Sequence, residues 1–502
     1  MDSQQVEPLC TNAQKLQREL ATPHFVLFPF LAQGHMIPMI DIARLLAQRG
    51  VIVTILTTLS NAIRFKTVVD RAIEAGLKIQ VAHLYFPSLE AGLPAGCENF
   101  DMLPSMDLAV KFFDATKRLQ PQVEEMLQQL KPSPICIISD MCFSWTTNVA
   151  RKFNIPRIVF HGPSCFSMLC MHNLRDWEEW EKIESDTEYF QVPGLSDKIE
   201  LTKSQVADFV RTRDLDWNEI WDQMYKAEEE AYGIVMNSFE ELEQEYVKGL
   251  MNAKGKKIWT IGPVSLCNKE KQDKAERGNK AAIDEHQCLK WLDSWEKDYV
   301  LFVCFGSLSR LSTSQMVELG LGLELSKQPF IWVVRHMPDE FKNWLVEENF
   351  EERVKGQGLL IKGWVPQILI LSHPSIGGFL THCGWNSSLE GISAGLPMIT
   401  WPMFADQFFN KRLIVNILKT GVRAGIKSPV MFGEEQKLGA QVSKDDIKMV
   451  IEQVMGEEME AQMRRKRAKE LGEMARKAME EEGSSHLNLT QLIQDVIEQA
   501  IF

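Results

Sequence analysis

Short apolar runs of four to six residues recur along the chain, each followed by a turn and then by apolar positions at helical spacing. Phe25-Val26-Leu27-Phe28 leads through Pro29–His35 into a helical pattern ending at Arg49, then Gly50 and the run Val51–Thr58. Gly50 stands where a left-handed glycine closes a helix. Val300–Phe305 leads through Gly306-Ser307 into a helical pattern over 312–326, then into Phe330–Val334. Strand, short loop, helix, strand is the βαβ unit of a parallel sheet. The runs are apolar throughout rather than alternating, as in strands covered by helices on both faces. Ile135–Asp140 and Ile155–Phe160 extend the first set, and Leu359–Ile361, Gly378–Thr381 and Pro397–Thr400 the second. The pattern predicts an α/β chain of two doubly wound, Rossmann-like domains facing each other across a cleft.

The 502 residues accommodate more than one domain. Expected boundaries are 1–253 for the first domain, 254–284 for a linker, 285–485 for the second, and 486–502 for a terminal helix returning to the core. The linker assignment rests on 269–280, which is almost wholly polar. A net charge of −13 argues against a nucleic-acid binder. Met1–Ala21 lacks the apolar core of an export signal, and no apolar run approaches the ~18 residues of a membrane span. Ten cysteines without a C-x-x-C pair read as reduced thiols, so the expectation is a cytoplasmic monomer. Arg464–Arg467 has acidic neighbours at helical spacing and reads as a solvated helix face.

Candidate chemistry concentrates in Trp364–Gln407. There a strand ending at Thr381 turns through His382-Cys383-Gly384-Trp385 into a helix opened by Asn386-Ser387-Ser388-Leu389-Glu390. The unpaired N–H groups and dipole of such a helix start favour an anion, and a diphosphate fits without a metal. His382, Asn386 and Ser387 add donors. Glu390, one turn on, faces the same way and suits a ribose diol, while Trp364 at a strand end suits a flat base. In the first half, His35 follows the first strand and Asp140 ends another, so both reach the carboxyl edge where doubly wound folds bind ligands. A histidine backed by a carboxylate can take a proton from a hydroxyl. On position alone, a packed or capping His35 remains open.

Trp364-Val365-Pro366-Gln367, Thr381–Gly391 and Phe404-Ala405-Asp406-Gln407 together resemble the 44-residue signature box of plant family 1 UDP-glycosyltransferases. Similarity runs from about Phe25 to the C-terminus. Pro23–Phe30, Gln33–Pro38 and Gly483-Ser484-Ser485 resemble the branch acting on flavonoids and triterpenoids. The resemblance implies a GT-B fold and an inverting transfer of glucose from UDP-glucose to an aglycone hydroxyl. UDP-glucose is a co-substrate, and no cofactor or metal is implied. It implies that His35 is the base and Asp140 its partner. It places Trp364 and Val365 on uracil, Gln367 and Glu390 on ribose, and Ser307, His382, Gly384, Asn386 and Ser387 at the diphosphate. Trp385, Asp406 and Gln407 fall to the sugar, a final Gln being associated with glucose. The acceptor is expected near His35, walled by Phe30 and Phe143 and by the loops 85–106 and 160–166.

Other readings fit less well. Gly391-Ile392-Ser393-Ala394-Gly395 matches the hydrolase elbow, but helix precedes strand where the elbow needs the reverse. Asp214-Leu215-Asp216 is a D-x-D in a helix-like stretch rather than at a strand end. No G-x-G-x-x-G follows either first strand, which removes the dinucleotide signal. A non-catalytic sugar-nucleotide or hydrophobic-ligand binder of this fold, and C-glycosylation of a phenolic, remain as alternatives.

Overall fold

The computed structural model describes residues 22–501, apart from 176, 207–209, 211–214 and 431–432. Its first sheet contains β1 (His24–Phe28), β2 (Ile52–Thr58), β3 (Ile79–Leu84), β4 (Cys136–Asp140) and β5 (Arg157–His161). A separate antiparallel hairpin of β6 (Tyr189–Gln191) and β7 (Glu200–Thr202) follows, and then β8 (Gly233–Met236) and β9 (Lys257–Thr260) complete the first sheet. The second sheet contains β10 (Val300–Cys304), β11 (Phe330–Val334), β12 (Gly358–Lys362), β13 (Ile376–Thr381), β14 (Met398–Thr400) and β15 (Gly421–Arg423).

The seven strands of the first sheet run β3-β2-β1-β4-β5-β8-β9 and the six of the second run β12-β11-β10-β13-β14-β15. All pairs in both are parallel. Each order reverses once, between β1 and β4 and between β10 and β13, and ligands bind at that reversal. Two such domains facing each other make the GT-B arrangement. Strands β1, β4, β5, β10 and β11 are buried along their whole length because helices cover both faces.

The first sheet extends into the stretch expected to be linker. β9 lies within 254–284 and pairs with β8, so the connection between sheets begins after Thr260. Its lysine-flanked, four-residue run hid it from the pattern. His35, expected in a loop, lies in the first turn of the helix Gln33–Gln48. That helix contains Pro38, which lacks the N–H that would bond the Gly34 carbonyl. The hydrophobic pattern had begun the helix too late because its first turn is Gln-Gly-His.

The last helix, Ser484–Ile501, leaves the second half and packs on the first. Leu489, Leu492 and Val496 join the apolar cluster beneath β1, β2 and β9. Trp259 Nε1 donates to Asp495 Oδ2 at 3.2 Å, and Ser485 Oγ donates to the Gly262 carbonyl. No helix among the described residues is long and apolar enough to cross a membrane. Leu492→Ala removes a fully buried side chain from this joint, at a cost of about 2–5 kcal/mol. The expected result is a lower melting temperature with turnover retained below the transition, read by calorimetry and a steady-state assay.

Candidate active site

β1 and β4 deliver the first pair. His35 Nδ1 donates to Asp140 Oδ2 at 2.7 Å. The other carboxylate oxygen, Oδ1, accepts from the Cys142 backbone N–H at 3.0 Å. Burial opposes the charge on Asp140, but His35 and the Cys142 N–H outweigh it and hold the carboxyl below its ordinary range. Burial likewise opposes a charged His35, yet the Asp140 carboxylate, with a smaller contribution from Asp406, raises its pKa. The Nδ1 proton is thereby fixed, leaving Nε2 as the basic nitrogen. Arg157 supports the turn behind Asp140, donating to the Asp140 and Phe143 carbonyls at 3.3 Å each.

β13 delivers the facing group. The helix Trp385–Ser393 starts at Gly384 with no side-chain cap, and its first N–H groups lack intrahelical acceptors. The His382 ring is wedged between two glycines: a Cβ on Gly306 or on Gly384 would stand 2.4 Å from it. Gly306 also has φ +74°, which only glycine adopts freely. Burial, helped by the Arg335 cation, lowers the His382 pKa to about 3. His382 is therefore a neutral donor, and its Nδ1 is buried without a protein partner. Gln367 Nε2 donates to Ser387 Oγ at 3.0 Å and to Glu390 Oε2 at 2.8 Å, joining the three polar side chains expected around a ribose and phosphate. Trp364 follows β12 at the same edge, with the Arg335 guanidinium 4.0 Å from its ring centroid. Val365 is fully buried behind it. Ser307 follows β10 next to Gly306.

Two donor-side residues also hold the halves together. Asn386 Nδ2 donates to the Gly34 carbonyl, the acceptor that Pro38 leaves free. Trp385 is nearly buried, and its Nε1 donates to the Asn237 carbonyl at 2.8 Å. Its indole N–H is thus committed to the first domain and its ring to the core, which leaves the backbone of Trp385 as the part that could face a sugar. Asp406 and Gln407 open the next helix. Gln407 Oε1 accepts from Met403 N at 2.8 Å and Phe404 N at 3.2 Å, which turns its amide nitrogen outward. Burial raises Asp406 to about 6, with the Asn410 amide working against the rise.

The acceptor wall differs from expectation in one member. Phe143 is fully buried, stacked 4.3 Å from Phe28, so it props the wall from behind. Phe30 stands edge-on to His35 at 5.4 Å and belongs to the cleft side. Ser393 lies inside a helix and donates to the Leu389 carbonyl at 2.7 Å, which disposes of the hydrolase elbow. Asp214 lies outside the described residues. Four site residues escaped the sequence reading: Asn237, Arg277, Arg335 and Asn410. Arg335 follows β11, so strand register alone would have placed it at this edge. Asn237 follows β8, a strand the pattern did not show.

Comparison with known proteins fits this geometry. Residues 24–266 match the glycosyltransferase N-terminal domain family, and 276–431 match the UDP-glucuronosyl and UDP-glucosyl transferase family. UDP-glycosyltransferase 73C3 of Arabidopsis thaliana is 56% identical over 482 residues, 95% of this chain and 97% of its own. UDP-glycosyltransferase 73C4 of Solanum lycopersicum is 79% identical over 336 residues, 67% of this chain and 98% of its own. The crystal structure of Glycyrrhiza uralensis UGT73P12 complexed with glycyrrhetinic acid 3-O-monoglucuronide superposes with a TM-score of 0.89 at 36% identity, covering 96% of each chain. Identity of this extent, over both sheets and the cleft between them, makes the chain a member of the plant family 1 UDP-glycosyltransferases.

Proposed function

We propose that this enzyme transfers glucose from UDP-glucose to a hydroxyl of a small, largely apolar plant aglycone, inverting the anomeric centre without a metal. The observation that carries the reading is the 2.7 Å contact between His35 and Asp140, set opposite the helix start at Gly384. His35 Nε2 takes the acceptor proton while Asp140 stabilises the imidazolium that forms. The acceptor oxygen attacks C1 from the face opposite UDP, so an α-linked donor yields a β-glycoside. The leaving diphosphate gathers charge at the helix N–H groups, with neutral His382 and the Asn386 and Ser387 side chains as further donors.

Glucose suits the pair at the sugar end: Asp406 offers a carboxylate oxygen and Gln407 an amide donor, a match for neutral vicinal hydroxyls. Trp364 offers its ring to uracil, and Glu390 with Gln367 the ribose grip. On the acceptor side, Phe30 stands edge-on to His35 and packs with Phe100 in an apolar cluster that Met106, Met141 and Trp217 border. A flavonoid or triterpenoid fits that surface, and the glycyrrhetinic acid glucuronide held by the Glycyrrhiza protein favours the polycyclic class.

His35→Ala is expected to lose about 10²–10⁴ in kcat while UDP affinity measured by calorimetry stays within a factor of about two. Equal loss of both contradicts the assignment. Since the base must be deprotonated and its pKa is raised, kcat/KM should fall with decreasing pH through a value above the ordinary ~6.5. Asp140→Asn should lower the rate and move that acid limb to lower pH. Gly306→Ala drives a methyl into the His382 ring. UDP should then bind at least about tenfold more weakly, roughly 1.4 kcal/mol, with the pH limb of residual activity unmoved. Activity should survive chelator unchanged, and NMR should find a β-linked product.

A further inference from the structure

Between the two sheets the chain passes directly over the nucleoside end of the cleft. Ala282 N donates to the Trp364 carbonyl at 2.8 Å. Asn279 Oδ1 accepts from Gln33 Nε2 at 2.8 Å, two residues from His35. Gly278, at φ +97°, lies so close to the indole that a Cβ there would stand 2.5 Å from Trp364 Cζ2 and 3.1 Å from Ile37 Cδ1. Arg277 is almost buried, with its guanidinium between two carboxylates from opposite halves. Nε donates to Asp41 Oδ2 at 2.9 Å, on the helix that carries His35, and NH1 donates to Glu390 Oε1. Further back, Arg44 and Arg71 both reach Asp273, so the segment is tied to the first domain just before it crosses.

Glu390 is thus held from two sides. Gln367 takes Oε2 and Arg277 takes Oε1. A carboxylate oxygen has two lone-pair directions, so each contact leaves a second one for a ribose hydroxyl. A glutamate has three side-chain torsions. Fixing both oxygens before the nucleotide arrives removes the ordering cost that binding would otherwise carry. Burial opposes the charge on Arg277, but Asp41 and Glu390 outweigh it, so the guanidinium stays cationic.

Building on the reading of Glu390 as the ribose ligand, we propose that Arg277 is a positioning residue for donor binding: it clamps Glu390 in its ribose-gripping orientation and ties that grip to the Asp41 helix. Gly278 is the companion requirement, the one residue type that lets the strap pass the uracil platform.

The test is calorimetric titration with UDP, alongside steady-state kinetics with UDP-glucose. Arg277→Gln should raise the UDP Kd and the donor KM about tenfold. At saturating donor, kcat should stay within about twofold, and the acceptor KM should not move. Arg277→Lys, which keeps the charge but not the fork, should recover part of the affinity. Gly278→Ala should weaken UDP binding even with Arg277 present. Combined with Glu390→Gln, Arg277→Gln should add little further loss, since it acts through that carboxylate. Unchanged donor affinity in Arg277→Gln overturns the proposal, as does a parallel fall in melting temperature and kcat with a rise in both KM terms across all variants. If Glu390→Gln itself leaves UDP affinity intact, the ribose assignment fails instead, which separates the two outcomes.

Discussion

A missing N–H holds the two halves of the site in register. Pro38 cannot bond the carbonyl of Gly34, so the first turn of the helix carrying His35 has a free acceptor facing the cleft. Asn386, at the start of the helix Trp385–Ser393, fills it. The helix carrying His35 and the helix proposed to receive the diphosphate are therefore joined by a hydrogen bond between their first turns. An ordinary helical residue at 38 would donate to that carbonyl and compete with Asn386 for it. Proline inside a helix costs about 3 kcal/mol, and here the defect frees the acceptor for one of the contacts that couple the domains.

Charge is distributed with the same economy. Among the residues that face one another, Asp140 is kept ionised by His35 and the Cys142 N–H, while His382 is kept neutral by burial and a nearby arginine. The first arrangement raises the basicity of one histidine. The second keeps another neutral, with one N–H to donate and no second proton to lose. The two imidazoles are separated in function by their neighbours, since both would titrate near the same pH in water. Glycines on both sides of His382 supply the close wall that burial requires.

Much of this was legible in the chain. β1, β4, β10, β11 and β13 are continuous apolar runs, and the residues just beyond them include His35, Ser307 and His382, so the switch-point rule sufficed to place them at an edge. The strands that escaped were short or edge-like. β3 is buried only at its two ends, Ile79 and Leu84, and β15 has three residues. Their loss cost little, but losing β8 hid Asn237, which bonds both Trp385 and Asn386. Sequence order does not say whether the Trp385 indole turns to the cleft or to the core, and here it turns to the core. The polar run 269–280 was read as surface loop from composition. Composition does not reveal that Arg277 has a carboxylate waiting on either side. Such pairings are long-range, and hydrophobic periodicity carries no trace of them.

The contacts between the halves are chemically unusual for a joint that must be accurate. Near the candidate site it is made mostly by side-chain amides and hydroxyls, Asn386 to Gly34, Asn237 to Asn386, and Ser164 and Ser167 to Asn410, with Arg277 between Asp41 and Glu390 as the ionic exception. Each such bond contributes only about 0.5–1.5 kcal/mol net, because water replaces it readily. An apolar seam of the same extent would close the cleft and resist reopening, and a seam of ion pairs would vary with salt. Neutral hydrogen bonds specify direction without much total strength. They suit a joint that must hold groups within the tolerance that displacement chemistry demands. The permanent connections lie away from the reacting groups: the terminal helix under β9 and the arginine-anchored crossing at Asp273. Burial of apolar side chains is thereby concentrated away from the candidate site, and directional polar contacts are concentrated at it.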